Sequence, residues 1–399
     1  MKGLRRIAND KTQGSGEGSI YKDKDGRWRG SVHLGYRGGK RARRVVSGKT
    51  RAAVSEKLKE LLRSQQLGLP IQPERQTVGA YLQSWLEQSI KNRVRPKSFV
   101  FYEGIIRLHL VPEIGRVRLQ KLTPQHVQRL LNSKLESGLS PRMVRHIRTT
   151  LISALQMAEK FGAVPRNVAK LVDPPRVPKR EVQPFTVEEA RCFLAAVACD
   201  RLGALFVVAL SLGLRLGEVL GLCEDDIDLD ACRLTVRHSL ERVTDQPFRL
   251  VETKSENGRR VLGLPAVTVA GLRRHQAQRE QERDLAGSKW KGNPWGLVFT
   301  SNVGTPLFHR NVHRRFCQLL DVAGLRRIRP HDLRHSAASL LIAQGVHPKA
   351  IQELLGHSSV AFTLQVYGHL FDEAKQETAD KMDSVLTSVA STGDSKRVQ

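Results

Sequence analysis

The segment Asp173-Pro174-Pro175-Arg176-Val177-Pro178-Lys179-Arg180 constrains this chain more than any other. Its prolines remove backbone donors and fix φ, so no helix passes through it and the chain must cross there between separately folded bodies. Regular structure restarts at Phe185-Thr186-Val187-Glu188-Glu189, with Thr186 and Glu189 spaced as a capping box. A second break lies between Leu67 and Gln76, where Gly68, Pro70 and Pro73 interrupt the pattern. At 399 residues the chain is long enough for two or three domains that each bury a core. The breaks predict domains over residues 1–66, 77–172 and 183–390.

Charge narrows the partner. The chain holds 66 Lys and Arg against 39 Asp and Glu, a formal +27, which suits a polyanion such as a phosphate backbone. Residues 1–66 alone hold 18 Lys and Arg against 6 Asp and Glu, close to half of the excess in a sixth of the length. A membrane surface is the competing polyanion, but no apolar run approaches the ~18 residues of a spanning helix. The basic start Met1-Lys2-Gly3-Leu4-Arg5-Arg6 has no apolar run behind it, so a cytoplasmic protein is expected. Cys192, Cys199, Cys223, Cys232 and Cys317 are odd in number and lack C-x-x-C spacing, and the 13 histidines form no H-E-x-x-H pattern. Neither a disulfide framework nor a metal site is expected.

In the first piece, Ser19-Ile20-Tyr21-Lys22, Arg27 to Leu34 and Lys40 to Val46 read as three short strands, with turns at Asp25-Gly26 and Gly38-Gly39. Thr50 caps a helix running to about Gln66, with Ala53, Val54, Leu58, Leu61 and Leu62 on one face. Because a sheet can lie in the major groove, Arg27, Arg29, Arg41, Arg43 and Arg44 are candidate DNA contacts. A solvated basic tail is the bland alternative.

The second piece is helical throughout. Val78, Tyr81, Leu82, Trp85 and Leu86 form one stripe, and Phe99, Phe101, Ile105 and Ile106 the next. Thr123-Pro124 and Ser140-Pro141 open two further helices as cap and first residue. In the last of them Val144, Ile147, Leu151 and Leu155 face inward while Arg142, Arg145 and Arg148 emerge at three-residue spacing. This cationic face suggests a helical DNA clamp, with an ordinary four-helix bundle as the alternative.

The third piece carries the chemistry. Arg215 sits between glycines in Leu212-Gly213-Leu214-Arg215-Leu216-Gly217-Glu218, among apolar helices where an arginine is costly unless paired or aimed at an anion. Glu218 is placed to orient it. Strands are expected at Ala231 to Val236 and Arg260 to Leu264, with a hairpin turn at Asn257-Gly258 and Lys254 near its tip. In Arg329-Pro330-His331-Asp332-Leu333-Arg334-His335, Pro330 fits a first helical turn, so His331, Arg334 and His335 share a face beside a positive helix end. Such an end favours the neutral His331 that a general base requires. Further on, Leu355-Gly356-His357 and Tyr367 lie among apolar residues. A tyrosine so placed is more often a core residue than a nucleophile.

The pieces Gly213-Leu214-Arg215-Leu216-Gly217-Glu218, Thr253-Lys254-Ser255, His331-Asp332-Leu333-Arg334-His335, Leu355-Gly356-His357 and Tyr367 come in the order and spacing of the tyrosine recombinases, and the chain resembles that phage integrase family. The helical region, with Asn167 near its end, resembles the family's core-binding domain, and the basic sheet and helix its arm-binding domain. The resemblance implies a multidomain α+β fold: a three-stranded sheet plus helix, an all-α core-binding bundle, and a mixed, mainly α catalytic domain.

It also implies roles. Tyr367 attacks a scissile phosphate to leave a 3′-phosphotyrosine and a free 5′ hydroxyl, and rejoining reverses the step on a partner duplex. Arg215 and Arg334 hold the non-bridging oxygens, Lys254 protonates the leaving oxygen, His331 acts as base and His357 hydrogen-bonds the phosphate. The covalent link conserves the bond energy, so no cofactor, ATP or metal is implied. Expected partners are double-stranded DNA attachment sites, a homotetramer on two duplexes, and an accessory DNA-bending or directionality factor. Cys223-Glu224 departs from the family, which often has a basic residue and tryptophan there. Leu370, Phe371, Ala374, Met382, Val385, Leu386 and Val389 suggest a terminal helix that docks on a neighbouring protomer or on its own domain. Two other functions fit parts of the pattern: a type IB topoisomerase-like relaxation enzyme sharing the chemistry, and a non-catalytic DNA-binding regulator that would not need all six residues.

Overall fold

The computed structural model describes residues 19–37, 40–66, 76–178, 183–243, 246–253, 258–361, 364, 382–383 and 386. They belong to two compact units, Met1–Pro178 and Lys179–Gln399, divided inside the proline-rich segment.

At the start of the first unit, strands β1 (Ser19–Lys22), β2 (Trp28–Arg37) and β3 (Lys40–Gly48) form an antiparallel sheet in the order β1-β2-β3. Gly26, at φ +77°, closes the first turn; Gly38-Gly39 lies outside the described residues. Helix α1 (Arg51–Gln66) begins where Thr50 Oγ1 accepts the backbone N–H of Ala53 at 3.2 Å. It packs Val54 and Leu58 onto Val32 and Val46. Gly30 allows the contact, because a Cβ there would lie 2.9 Å from both Leu58 Cδ1 and Val54 Cγ1.

The helical region follows: α2 (Val78–Trp85), α3 (Pro96–Ile105), α4 (Val111–Ile114), α5 (Pro124–Glu136) and α6 (Pro141–Lys160). Thr77, Thr123 and Ser140 cap α2, α5 and α6 with side-chain oxygens. Wider π turns at Leu86–Ile90 and Ile106–Leu110 extend α2 and join α3 to α4. The predicted stripes meet in one apolar core, with Tyr81 Oη donating to the Ala154 carbonyl at 2.8 Å. Phe101 is a correction: it is 42% exposed and packs edge-on against His146 rather than in the core.

In the second unit, α7 (Val187–Val197), α8 (Gly203–Ser211) and α9 (Leu216–Leu220) lead into short strands, after which α10 (Ala266–Ala286), α11 (His309–Val322), α12 (Asp332–Ala343) and α13 (Pro348–Leu355) complete a mainly helical body. The expected capping box is present, Glu189 N–H to Thr186 Oγ1 at 3.1 Å and Thr186 N–H to Glu189 Oε2 at 2.9 Å. Phe185, Phe193, Phe206 and Phe316 meet ring to ring at the centre of its core.

The strands correct the predicted hairpin. β4 (Ile227–Asp228), β5 (Arg233–Val236) and β8 (Arg260–Gly263) form one sheet, and β6 (His238–Arg242) pairs with β7 (Phe248–Glu252). Only Arg237 separates β5 from β6, so a single long stretch pairs first with β8 and then with β7. β7 and β8, the strands on either side of residues 253–259, therefore lie in different sheets, and residues 254–257, including Asn257 of the expected turn, lie outside the described residues. Thr253 N–H donates to the Arg237 carbonyl at 3.2 Å where the segment departs. Gly258 closes its neck, because a Cβ there would lie 2.6 Å from Thr253 Cβ. Among the described residues no helix is long and apolar enough to cross a membrane.

Candidate functional site

The turn between α8 and α9 is built on Gly213, at φ +59°. A side chain there would meet Leu355 Cδ2 at 2.5 Å and Ala337 Cβ at 3.3 Å, so glycine lets this turn reach both α12 and α13. Arg334 on α12, 3% exposed, donates from Nη1 to the Gly213 carbonyl at 2.8 Å. Its helix begins at Asp332, two residues after Pro330, with His331 in the capping position and the proline just outside the first turn. Asp332 holds that end by accepting the Arg329 backbone N–H at 2.9 Å and pairing with its guanidinium at 2.7 Å. Ser336 Oγ ties the same helix to the unit's start by accepting from Phe185 N–H at 2.8 Å.

Arg215 stands at the N-terminal end of α9 with 45% of its side chain exposed, open to an anion. Glu218 fixes it as the spacing predicted: the carboxylate accepts Arg215 Nη1 at 2.6 Å and the Arg215 backbone N–H at 3.2 Å. Oε2, the oxygen that takes the Arg215 backbone N–H, also accepts Arg260 Nη2 at 3.0 Å. Arg260 also donates from Nε to the Leu354 carbonyl at 2.7 Å and from Nη1 to the Gly258 carbonyl at 3.0 Å. Its side chain is 7% exposed and that of Glu218 5%. One buried guanidinium thus links the Arg215 turn, the neck of the Lys254 segment and the end of α13, three residues before His357.

The sequence reading missed Arg260. The signal was its register on β8, where Leu262 points inward and Val261 is exposed, so an arginine two residues before Leu262 occupies an inward position. Burial raises the Glu218 carboxyl, but the Arg260 and Arg215 charges outweigh it and hold it below its usual value.

The histidines are kept neutral. His357 follows Gly356, which is left-handed at φ +65° and ends α13. Burial first, then the charges of Arg334, Arg215, His335 and Arg260, push His357 down to about 4. Burial, His335 and Arg334 likewise push His331 down to about 4, and its ring lies 5.4 Å from His335 in an edge-to-face pair. More than a third of His331 is nevertheless exposed, so solvent softens its shift, whereas His357 is buried. The leading cause at both is burial rather than the positive helix end.

Lys254 and Tyr367 lie outside the described residues, as does the proposed terminal helix apart from Met382, Asp383 and Leu386. Arg27 is exposed in the turn before β2 and Arg43 on β3, Arg44 is half-buried, and Arg29 pairs with Asp23 at 2.5 Å. Arg41 is placed on β3 opposite Tyr36, and its side chain is outside the described set. Arg142 and Arg145 are exposed on α6. Arg148 differs from them: Nε donates to the Val172 carbonyl at 2.6 Å and Nη2 to that of Lys170 at 3.4 Å, tying the bundle's last turn to α6. At Cys223-Glu224 the backbone pairs with another strand-like stretch through Glu224 N–H to the Gly296 carbonyl at 2.8 Å, and Glu224 pairs with Arg279 at 2.6 Å.

Residues 186–374 match the model of the phage integrase family, and residues 77–135 that of the phage integrase N-terminal SAM-like domain. An integrase of Streptomyces ambofaciens is 33% identical over 391 residues, which are 94% of this chain and 98% of that protein. An integrase of Saccharopolyspora erythraea is 28% identical over 425 residues, covering 93% and 97%. The fold is similar to the Tn1549 transposon integrase in complex with circular intermediate DNA, with a TM-score of 0.65 at 22% identity over 76% of this chain and 99% of that one. A lambda integrase dimer bound to a COC′ core site gives a TM-score of 0.52 at 18% identity, over 87% and 93%.

Proposed function

The chain belongs to the phage integrase family, the tyrosine-type site-specific recombinases, and from that premise we propose that it integrates or excises a mobile element by cutting and rejoining DNA through a 3′-phosphotyrosine on Tyr367. The observation that carries the residue assignment is the bond from Arg334 Nη1 to the Gly213 carbonyl at 2.8 Å, which sets α12 against the turn where Glu218 braces Arg215.

In this reading the Tyr367 oxygen attacks phosphorus, the bond to the 5′ oxygen breaks, and Lys254 supplies the proton that this oxygen takes up. Neutral His331 accepts the tyrosine proton. Arg215 and Arg334 stabilise charge as it grows on the non-bridging oxygens, with little rearrangement because both are already held. His357 donates to the phosphate. Attack by the 5′ hydroxyl of a partner strand then restores a phosphodiester and frees Tyr367.

Residues 1–66 serve as an arm-type DNA-binding module through Arg27, Arg29, Arg41, Arg43 and Arg44. Residues 77–172 clamp the core site with Arg142 and Arg145, while Arg148 contributes by holding the bundle's end. Residues 183–390 form the catalytic domain. The protein acts in the cytoplasm, as a homotetramer on two double-stranded attachment sites, with an accessory bending or directionality factor.

A nicked suicide duplex tests the assignment. Wild type should form a covalent protein–DNA adduct and Tyr367→Phe none; an adduct with Tyr367→Phe overturns the nucleophile. A plasmid carrying two sites should give a site-dependent product, and relaxation alone would favour a topoisomerase-like activity.

A further inference from the structure

Beside the strand junction, three side chains with different donor atoms meet. Cys223 follows α9, Asp226 precedes β4 and His238 opens β6; Sγ, a carboxylate oxygen and an imidazole nitrogen all lie within 4.8 Å of one another. We propose that Cys223, Asp226 and His238 bind a divalent transition-metal ion of the zinc type, at a site separate from the DNA-cleaving residues.

The donors are set for an ion. The Asp226 side chain is 2% exposed, with Oδ2 accepting the Cys223 backbone N–H at 3.1 Å and Oδ1 facing Arg237 at 3.5 Å. His238 Nδ1 lies 3.9 Å from Oδ2, too far for a hydrogen bond. This nitrogen is buried without a hydrogen-bond partner among the described residues. A buried ring nitrogen with no partner is costly, and an ion between it, Oδ2 and the sulfur would satisfy it. Sulfur and imidazole select zinc-like ions over magnesium or calcium, which prefer oxygen alone. With bonds of roughly 2.0–2.3 Å, tetrahedral zinc separates its donors by roughly 3.3–3.6 Å, so the three need draw together by only about 1 Å. A water completes four-coordination.

Binding releases the Cys223 thiol proton to solvent, and the thiolate and carboxylate then neutralise the ion's two charges. The ion would bind three backbone elements into one rigid corner. His238 is paired with Glu252, and its neighbour Arg237 accepts the hydrogen bond from Thr253, so this corner carries the root of the segment bearing Lys254. The last step alone rests on the proposed role of Lys254.

The test uses the full chain, freed of metal by a chelator and titrated with Co²⁺. Wild type should develop thiolate-to-cobalt charge-transfer absorption that saturates near one equivalent and is displaced by Zn²⁺. Cys223→Ser should abolish the band, His238→Gln should weaken binding at least ~10-fold, and Zn²⁺ should raise Tm in wild type but not in Cys223→Ser. Cys317, whose Sγ lies 3.7 Å from His313 Nδ1, supplies the control: Cys317→Ser should keep the band. No band in wild type, or a band that survives Cys223→Ser and disappears with Cys317→Ser, overturns the site. Because these readouts are spectroscopic and thermal, they stand or fall independently of DNA cleavage.

Discussion

The helical region of residues 77–172 and the C-terminal unit treat charge in opposite ways. In the helical region the buried polar side chains among the described residues are Thr150 and Asn167, and none of its arginines is buried. The C-terminal unit buries Glu218, Asp226, His275, Asp332, Arg334, Gln352 and His357. A surface arginine keeps its hydration and can follow a phosphate wherever it lies, which suits sequence-tolerant grip on a backbone. A buried arginine loses that hydration and is stable only with fixed partners, which suits a group that must meet one phosphate in one geometry. Arg334 on the Gly213 carbonyl and Arg260 on Glu218 are held in that second way.

The contrast breaks first at Arg334. Arg334→Ala should lower single-turnover cleavage about 10²–10³-fold, the usual loss of one preorganised donor to developing charge, while DNA binding by gel shift changes little. Equal losses in binding and cleavage would make Arg334 a grip residue like those of the helical region.

Arg260 probes the brace. Arg260→Ala leaves Glu218 buried with one partner fewer, and unfolding by denaturant should show a loss of about 3 kcal/mol. Its cleavage defect should be partly shared by Arg215 positioning, so Arg260→Lys, which cannot span three acceptors in one plane, should restore stability more than cleavage.

The buried histidine gives a pH signature. His357 titrates near 4 in the folded chain against 6.5 when unfolded, so the unfolded chain takes up the proton first. Stability is therefore complete above about 6.5 and declines as pH falls toward 4. His357→Gln should remove roughly 2 kcal/mol of that decline after allowance for screening, read from denaturation midpoints across the window. An unchanged slope would mean that the imidazole is charged and solvated.

Two arginines on one helix sharpen the other side of the contrast. Arg148→Ala should cost about 1–2 kcal/mol of stability, since a charged donor to the Val172 carbonyl is lost. Arg145→Ala should leave stability unchanged and reduce the salt dependence of DNA binding by about one unit of slope. If both act alike, the helical region's surface arginines are not a phosphate-reading face.

Much of this was readable from residue order. Caps at Thr50, Thr123, Ser140 and Thr186 use side-chain oxygens placed within three residues of their targets, a strictly local interaction. Period-3.6 stripes placed Val144, Ile147 and Leu151 in the core for the same reason. The Glu218 brace on Arg215 also spans only three residues. Phe101 shows the limit, because periodicity states a face and not whether another helix covers it.

The linear chain therefore determined the helices and their caps, the charge excess that calls for a polyanion, and the ordered set of residues that marks the family. Tertiary structure alone decided what joins them. Arg260 reaches Leu354 across 94 residues and Glu218 across 42, and Arg334 reaches Gly213 across 121, distances over which no periodicity carries information. The pairing of one long stretch with both β7 and β8 was likewise invisible, because strand register is set by the partner's position in space, and local turn residues at Asn257-Gly258 pointed to a hairpin that the pairing does not make.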